Sequence, residues 1–295
     1  MMDYRVEAIG CRWPDHALYR SYASFLAVYG DLIAEQCRAR SCGPGDPRRR
    51  AFSKLCRMTV RAAHPKRKED RAIRVSEFRG CSAIVDAVER LRIAHGDDWL
   101  QSLASLFGML LHLTLGNGRE ATLINPRRPG KSFSTYPTSP SAVKVVVANA
   151  MRALLSRPLV LADGRKRQLL GFAVVDPAME SGQLLLGVAS FVLEAAREDC
   201  REDGERAQEV SRRIARELAV SLWGVDRNPL ARIATRTVFE ILSRERDLAM
   251  PPLKNLYTAD ALPWLARRAT SSWPSWRTPG RWSPAATSPT SPSAG

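Results

Sequence analysis

The sequence is poor in the residues that build metal centres and disulfide frameworks. Its six cysteines (Cys11, Cys37, Cys42, Cys56, Cys81, Cys200) form no C-x-x-C pair, and none has a histidine at ligand spacing. That excludes the common zinc ribbons and a C-x-x-C redox motif. The thiols read as reduced ones of a cytoplasmic protein, several of them buried. The four histidines, His16, His64, His95 and His112, are scattered, so no catalytic or metal-binding group is built around them. No apolar run reaches the length of a membrane span, and residues 1–10 lack the apolar core of a signal peptide, so no membrane partner is expected. Acid is short as well. Asp and Glu number 30 against 45 Lys and Arg, which gives a net charge of +15 and a pI near 10.2. That balance favours a polyanionic partner, nucleic acid above all, although GC-rich coding sequence also yields Arg-rich proteins.

What is present suits a folded chain. The 295 residues suffice for one large or two ordinary domains, and a hydrophobic content of 45% permits a sizeable core. Within 14–40, Leu18, Tyr22, Phe25, Leu26, Tyr29 and Leu32 recur near i, i+3/i+4 spacing and predict an amphipathic helix. Ser41-Cys42-Gly43-Pro44-Gly45-Asp46-Pro47 breaks it. A basic stretch over 48–74 contains Arg48-Arg49-Arg50 and His64-Pro65-Lys66-Arg67-Lys68. It reads either as a phosphate-contacting segment or as a solvated helix face, with few aromatics for base stacking. Two further helical stripes follow within 82–115: Ile84, Val85, Val88, Leu91, Ile93, then Trp99, Leu103, Leu106, Phe107, Leu110, Leu111, Leu113. Gly116-Asn117-Gly118 ends the second, and both stripes read as core. A linker over 125–131 leads through Tyr136-Pro137-Thr138-Ser139-Pro140 to a helix expected over 142–155.

The stretch 169–230 organises the rest. An apolar run (Leu169, Leu170, Phe172, Ala173, Val174, Val175) ends in Asp176-Pro177, a turn with Ser181-Gly182 follows, and a helix is predicted over 182–196. Strand, tight turn, helix is the arrangement that places backbone N–H groups and a helix N-terminus beside a ligand. After a charged, helical spacer, a second short strand (Val220, Leu222, Trp223, Val225) ends in Asp226. An acid at the tip of the second strand of such a unit is where a ribose hydroxyl is held. The two acids are fifty residues apart, against roughly 20 in a compact dinucleotide-binding unit, which argues against a nicotinamide dehydrogenase. A third helix is predicted over 229–246, broken by Pro251-Pro252, and a third strand and acid over 253–262.

Val174-Val175-Asp176-Pro177-Ala178-Met179-Glu180-Ser181-Gly182-Gln183-Leu184-Leu185-Leu186 resembles the first motif of S-adenosylmethionine-dependent DNA adenine-N6 methyltransferases, D-P-A-C-G-S-G-x-F/L-L. Gly224-Val225-Asp226-Arg227-Asn228-Pro229-Leu230-Ala231 is similar to their second motif, G-x-D-x-N/D-P-x-A. The resemblance covers roughly 131–266. It implies S-adenosylmethionine as cofactor, with Asp176, Ala178, Ser181 and Gly182 near its methionine end. It further implies Asp226 on the ribose hydroxyls and Asp260 at the adenine edge. Thr138-Ser139-Pro140, or Tyr136-Pro137-Thr138, looks like a degraded form of the family's Y/F-T-P tripeptide, which implies Thr138 and Pro140 at the methionine end as well; a threonine beside a proline also has a plain helix-capping reading. The turn departs from the pattern, with Met179-Glu180 where the family has Cys-Gly. If that site needs positive φ, a residue with Cβ pays ~1–2 kcal/mol there, and a glutamate adds bulk and charge. Cofactor affinity is expected to fall about tenfold or more.

The family's catalytic N/D-P-P-Y/F, which holds and stacks a flipped adenine, does not occur; Asn125-Pro126-Arg127 and Met250-Pro251-Pro252-Leu253 are poor fragments of it. No catalytic residue is therefore assigned, and the chain is expected to stop before the catalytic loop and to be inactive alone. The fold class expected is α/β: a partial Rossmann-like methyltransferase sheet preceded by a mostly helical N-terminal region. The domains expected are a basic helical region over 1–130, a partial methyltransferase domain over 131–266, and a tail over 267–295. That tail is Ser-, Pro- and Trp-containing without acid, and reads as disordered or as a departure from the original reading frame. The expected function is site-specific adenine methylation of DNA in a restriction-modification or defence system, with DNA and a second chain carrying the missing motif as partners. The alternatives are a non-catalytic cofactor- or DNA-binding fragment, or a methyltransferase acting on RNA or protein.

Overall fold

The computed structural model describes residues 16–38, 46–64, 80–111, 114–115, 123–124, 138–155, 173–198 and 204–270. The N-terminal part is helical: α1 (His16–Arg38), α2 (Pro47–Ala63), α3 (Cys81–His95), a 3-10 turn (Gly96–Asp98) and α4 (Trp99–Leu111). A short antiparallel pair, β1 (Thr114–Leu115) and β2 (Leu123–Ile124), follows. Then come α5 (Pro140–Leu155), β3 (Val174–Asp176), α6 (Gln183–Glu198), α7 (Gly204–Ser221), β4 (Leu222–Asp226), α8 (Pro229–Glu245), β5 (Leu256–Thr258) and α9 (Ala261–Thr270). The described chain is mostly helical, with one small three-stranded parallel sheet in the order β3-β4-β5.

Local chemistry explains the helix starts. The Asp46 carboxylate accepts the Arg48 N–H at 2.9 Å, and Pro47 occupies the first helical position of α2, where a missing N–H is harmless. Asn228 and Pro229 repeat the device at α8, with Asn228 Oδ1 accepting the Leu230 N–H at 3.0 Å. Gly80, at φ +101°, opens α3.

α4 is the central element. Only Met109 of its thirteen residues escapes full burial. A helix apolar on nearly all sides must be enclosed, and α1, α3, α5, α6 and α8 all pack against it. Phe25, Tyr29, Phe52 and Phe107 meet edge to face, with centroids 5.7–6.0 Å apart. One hydrophobic cluster runs from Tyr22 to Leu256, joining the N-terminal helices to α6, α8 and the inner face of the sheet. The domain boundary expected at 130/131 lies outside the described residues, and the core is continuous across it. A smaller cluster of Trp223, Val225 and Trp264 covers the opposite face of the sheet, where Trp223 stacks on Tyr257 at 5.9 Å.

Several sequence expectations need correction. Residues 220–221 end α7 and are not strand, so β4 starts at Leu222. The helix expected from 142 starts at Pro140, and the β1–β2 pair adds strands where the sequence pattern shows none. The tail was expected from 267, yet 267–270 belong to α9; 271–295 lie outside the described residues. Of the cysteines, Cys56 is buried, Cys81 half-buried and Cys37 exposed, all as free thiols; Cys11, Cys42 and Cys200 lie outside the described residues. Among the described residues no helix is long and apolar enough to cross a membrane, and no group of three or more His, Cys, Asp or Glu is arranged to hold a metal ion.

Candidate functional site

The parallel register puts all three strand tips at one edge. Asp176 pairs in register with Gly224, and Asp226 with Thr258. The turn 177–182 folds from the tip of β3 over the tip of β4. The Met179 N–H donates to the Val225 carbonyl at 3.1 Å, and the Glu180 N–H donates to Asp226 Oδ2 at 2.9 Å. Asp226 Oδ1 accepts the Asn228 N–H at 2.7 Å. The carboxylate is thus fixed by two backbone donors, one on each oxygen. An oxygen accepting one hydrogen bond keeps a lone pair for a second, so a ligand hydroxyl can be gripped without breaking either contact.

The turn is shaped by close packing. Gly182 sits at φ +81°, and a Cβ there would lie 2.6 Å from Thr235 Cγ2, so glycine is required both by conformation and by space. Gly224 leaves room for the buried Met179 side chain, whose sulfur would collide with a Cβ at that position. Glu180 adopts φ +46°, the left-handed region. It stands where the resembled motif has glycine, and its carbonyl accepts the Thr235 hydroxyl at 3.4 Å.

Electrostatics reinforce the strain. Burial pushes the Asp176 carboxyl up to about 6; the nearby Asp226 adds to the rise and the Ala178 N–H, 3.0 Å from Asp176 Oδ1, opposes it. Burial, then Asp226 and Asp176, push Glu180 up to about 7. Asp176 and Glu180 thus share one turn beside Asp226, and burial together with neighbouring carboxylates disfavours the ionised forms of these two.

The remaining sequence-predicted residues fall around this edge with different engagements. Ala178 is exposed at the turn. Ser181 is fully buried, and its hydroxyl finds no hydrogen-bond partner among the described residues. Asp260 sits just beyond β5, but its carboxylate is engaged: one oxygen pairs with Arg227, and the other accepts the Leu262 N–H at 3.2 Å, capping α9. Pro140 is the first residue of α5. The capping at that helix falls to Ser139, whose hydroxyl accepts the Ala142 N–H at 3.2 Å, and not to the Thr138 hydroxyl. Thr138 instead offers its carbonyl to the Gln183 side-chain amide at 2.8 Å.

That last contact belongs to a polar group that sequence reasoning missed. Gln183 Nε2 also donates to the Ser105 hydroxyl, and Gln101 Nε2 donates to the Gln183 carbonyl at 3.3 Å. These buried amides and hydroxyls tie α4, the segment before α5 and the first turn of α6 into one unit. Asn228 adds a second tie, donating from Nδ2 to the Leu111 carbonyl at 3.1 Å. The signal was visible only as polar residues, Gln101, Ser102 and Ser105, within an otherwise apolar helix. No protein-family model, no curated protein and no solved structure matches the chain.

Proposed function

We propose that the chain carries the methyl-donor-binding part of an S-adenosylmethionine-dependent DNA adenine-N6 methyltransferase, in a partial Rossmann-like sheet. The observation that carries this reading is the tip of β4. Asp226 is held by the Glu180 and Asn228 N–H groups at the mouth of a strand–turn–helix unit whose turn lies directly over it. In this reading Asp226 holds the ribose hydroxyls, and the turn with Ala178, Ser181 and Gly182 takes the methionine end. Asp176 shapes that turn by accepting the Ala178 N–H. Asp260 meets the adenine amino group only after exchanging its contact with Arg227.

Methyl transfer also needs a residue set that orients the adenine nitrogen towards the donor methyl. The 295 residues contain no N-P-P-Y/F tetrapeptide, so in this proposal the acceptor loop lies outside this sequence. Glu180 favours a second reading, a cofactor- or DNA-binding chain with weakened donor affinity. Its left-handed backbone strains the turn, and its half-buried side chain adds bulk, and charge when ionised, where the anionic end of a donor would lie. Calorimetric titration of S-adenosylmethionine into the wild type and Asp226→Ala tests the proposal. Saturable binding that weakens at least about tenfold in the variant is expected, and no binding to the wild type at millimolar donor refutes it.

A further inference from the structure

The outer face of α2 is a continuous cationic stripe. At about 100° of turn per residue, Arg50, Lys54, Arg57 and Arg61 fall within roughly 60° of arc, and the buried residues of α2 occupy the opposite side. The stripe spans about 16 Å at ~1.5 Å rise per residue. α2 contains no acid at all; Asp46 precedes it as the cap. Lys54 is taken by Glu35 at 2.9 Å. Arg57 and Arg61 are exposed, and neither they nor Arg50 form an ion pair among the described residues.

The placement of the first-turn cations runs against helix stability. Arg48, Arg49 and Arg50 stand at the positive end of the helix dipole, where cations are disfavoured, and they repel one another. Arg48 is offset by its hydrogen bond with Tyr29 and by the Asp46 cap, whereas Arg50, further along the first turn, opens the outward row that continues through Arg57 and Arg61. Direction supplies the geometry. Cys56 meets Thr237, and His64 Nε2 lies 3.7 Å from Glu245, so α2 and α8 run the same way. α8 departs from Asn228, two residues past Asp226. The arginine-rich start of α2 therefore lies towards the same end of the molecule as the strand tips.

We infer that the outer face of α2 is a docking surface for the phosphate backbone of duplex DNA, aligned so that the duplex reaches the edge of the sheet where Asp176 and Asp226 stand. Charge complementarity selects the occupant: a +15 chain presents Arg50, Arg57 and Arg61 on one helix face with no acid on that helix, and Glu35 of α1 pairs there with Lys54 alone. The inference rests on the methyltransferase reading for the choice of DNA among polyanions. Each phosphate contact contributes about 0.9 to the slope of log affinity against log salt.

The test uses the full chain, a fluorescein-labelled DNA duplex of about 24 base pairs, and anisotropy titrations from about 50 to 200 mM salt. The triple variant Arg50→Gln/Arg57→Gln/Arg61→Gln is expected to lose at least about tenfold in affinity at the low-salt end and two to three in salt slope. A control triple of equal charge change, Arg152→Gln/Arg197→Gln/Arg216→Gln, removes exposed arginines elsewhere and is expected to change the slope by less than one. Equal losses in the two triples, or an unchanged slope in the α2 triple, overturn the inference. Calorimetry with S-adenosylmethionine on the same preparations separates the two claims. A wild type that takes no donor, but loses DNA with the α2 triple alone, overturns the methyltransferase reading and leaves the DNA face standing.

Discussion

Replacing Glu180 by glycine tests the turn most sharply. The wild-type residue holds φ +46°, a conformation that costs a side chain with Cβ ~1–2 kcal/mol. Glycine recovers that strain but loses ~0.5–1 kcal/mol through its greater freedom in the unfolded chain. The backbone gain is therefore ~0.5–1 kcal/mol at any pH. The carboxyl adds a pH-dependent part. Its value in the folded protein is raised to about 7 from 4.5, so between those values the folded state binds a proton that the unfolded state has released. Wild-type stability therefore falls as pH rises through that window, and Asp176 acts the same way between 3.8 and about 6. Glu180 is half-buried, and screening by solvent reduces its penalty to ~1 kcal/mol above pH 7. Glu180→Gly is then expected to stabilise by ~1.5–2 kcal/mol at pH 8, a Tm gain of roughly 4–6 °C, and by half that or less at pH 5. Scanning calorimetry at both pH values reads this directly. A variant less stable than the wild type at pH 8, or a gain equal at both pH values, refutes the reasoning. If the proposed function holds, donor affinity at pH 8 rises about tenfold in the same variant; an unchanged affinity refutes the claim that the side chain obstructs the pocket.

Two other substitutions probe the frame of the site. Gly182→Ala places a Cβ 2.6 Å from Thr235 Cγ2 at φ +81° and is expected to destabilise by ~2–4 kcal/mol in urea unfolding. Thr235→Ala added to it recovers only part of that loss, since the conformational strain remains; full recovery contradicts the reading. Gln183→Ala removes the amide that joins Thr138 and Ser105, leaving the Thr138 carbonyl only the long 3.5 Å contact from the Ser105 hydroxyl, and is expected to cost ~1 kcal/mol. Rapid exchange of the α5 amides relative to those of α8, read by hydrogen exchange, accompanies it if the segment before α5 depends on this contact.

The sequence spoke clearly where periodicity and capping coincide. Helix α8 was legible because Asn228-Pro229 marks its start and Leu230, Ile233, Ala234 and Val238 repeat its inner face. The two acids were legible as residues closing short apolar runs, and the register confirms that Asp176 and Asp226 share one sheet edge. The sequence left open whether residue 180 needs positive φ, and the structure places it at φ +46°. Helix α9 was hidden because it carries Pro263 and only a short apolar stripe, and because its cap, Asp260, read as a site acid. Two-residue strands such as β1 and β2 leave no period to detect. The Gln101–Gln183–Thr138 ties were invisible because segments far apart in sequence meet only in the packed molecule.

Equilibrium dialysis of radiolabelled S-adenosylmethionine against the wild type, Asp226→Asn and the exposed-site control Asp97→Asn bears most directly on the central claim. Retention by the wild type and by Asp97→Asn is expected, with at least about tenfold weaker retention by Asp226→Asn. Equal retention by all three, or none by any, contradicts it.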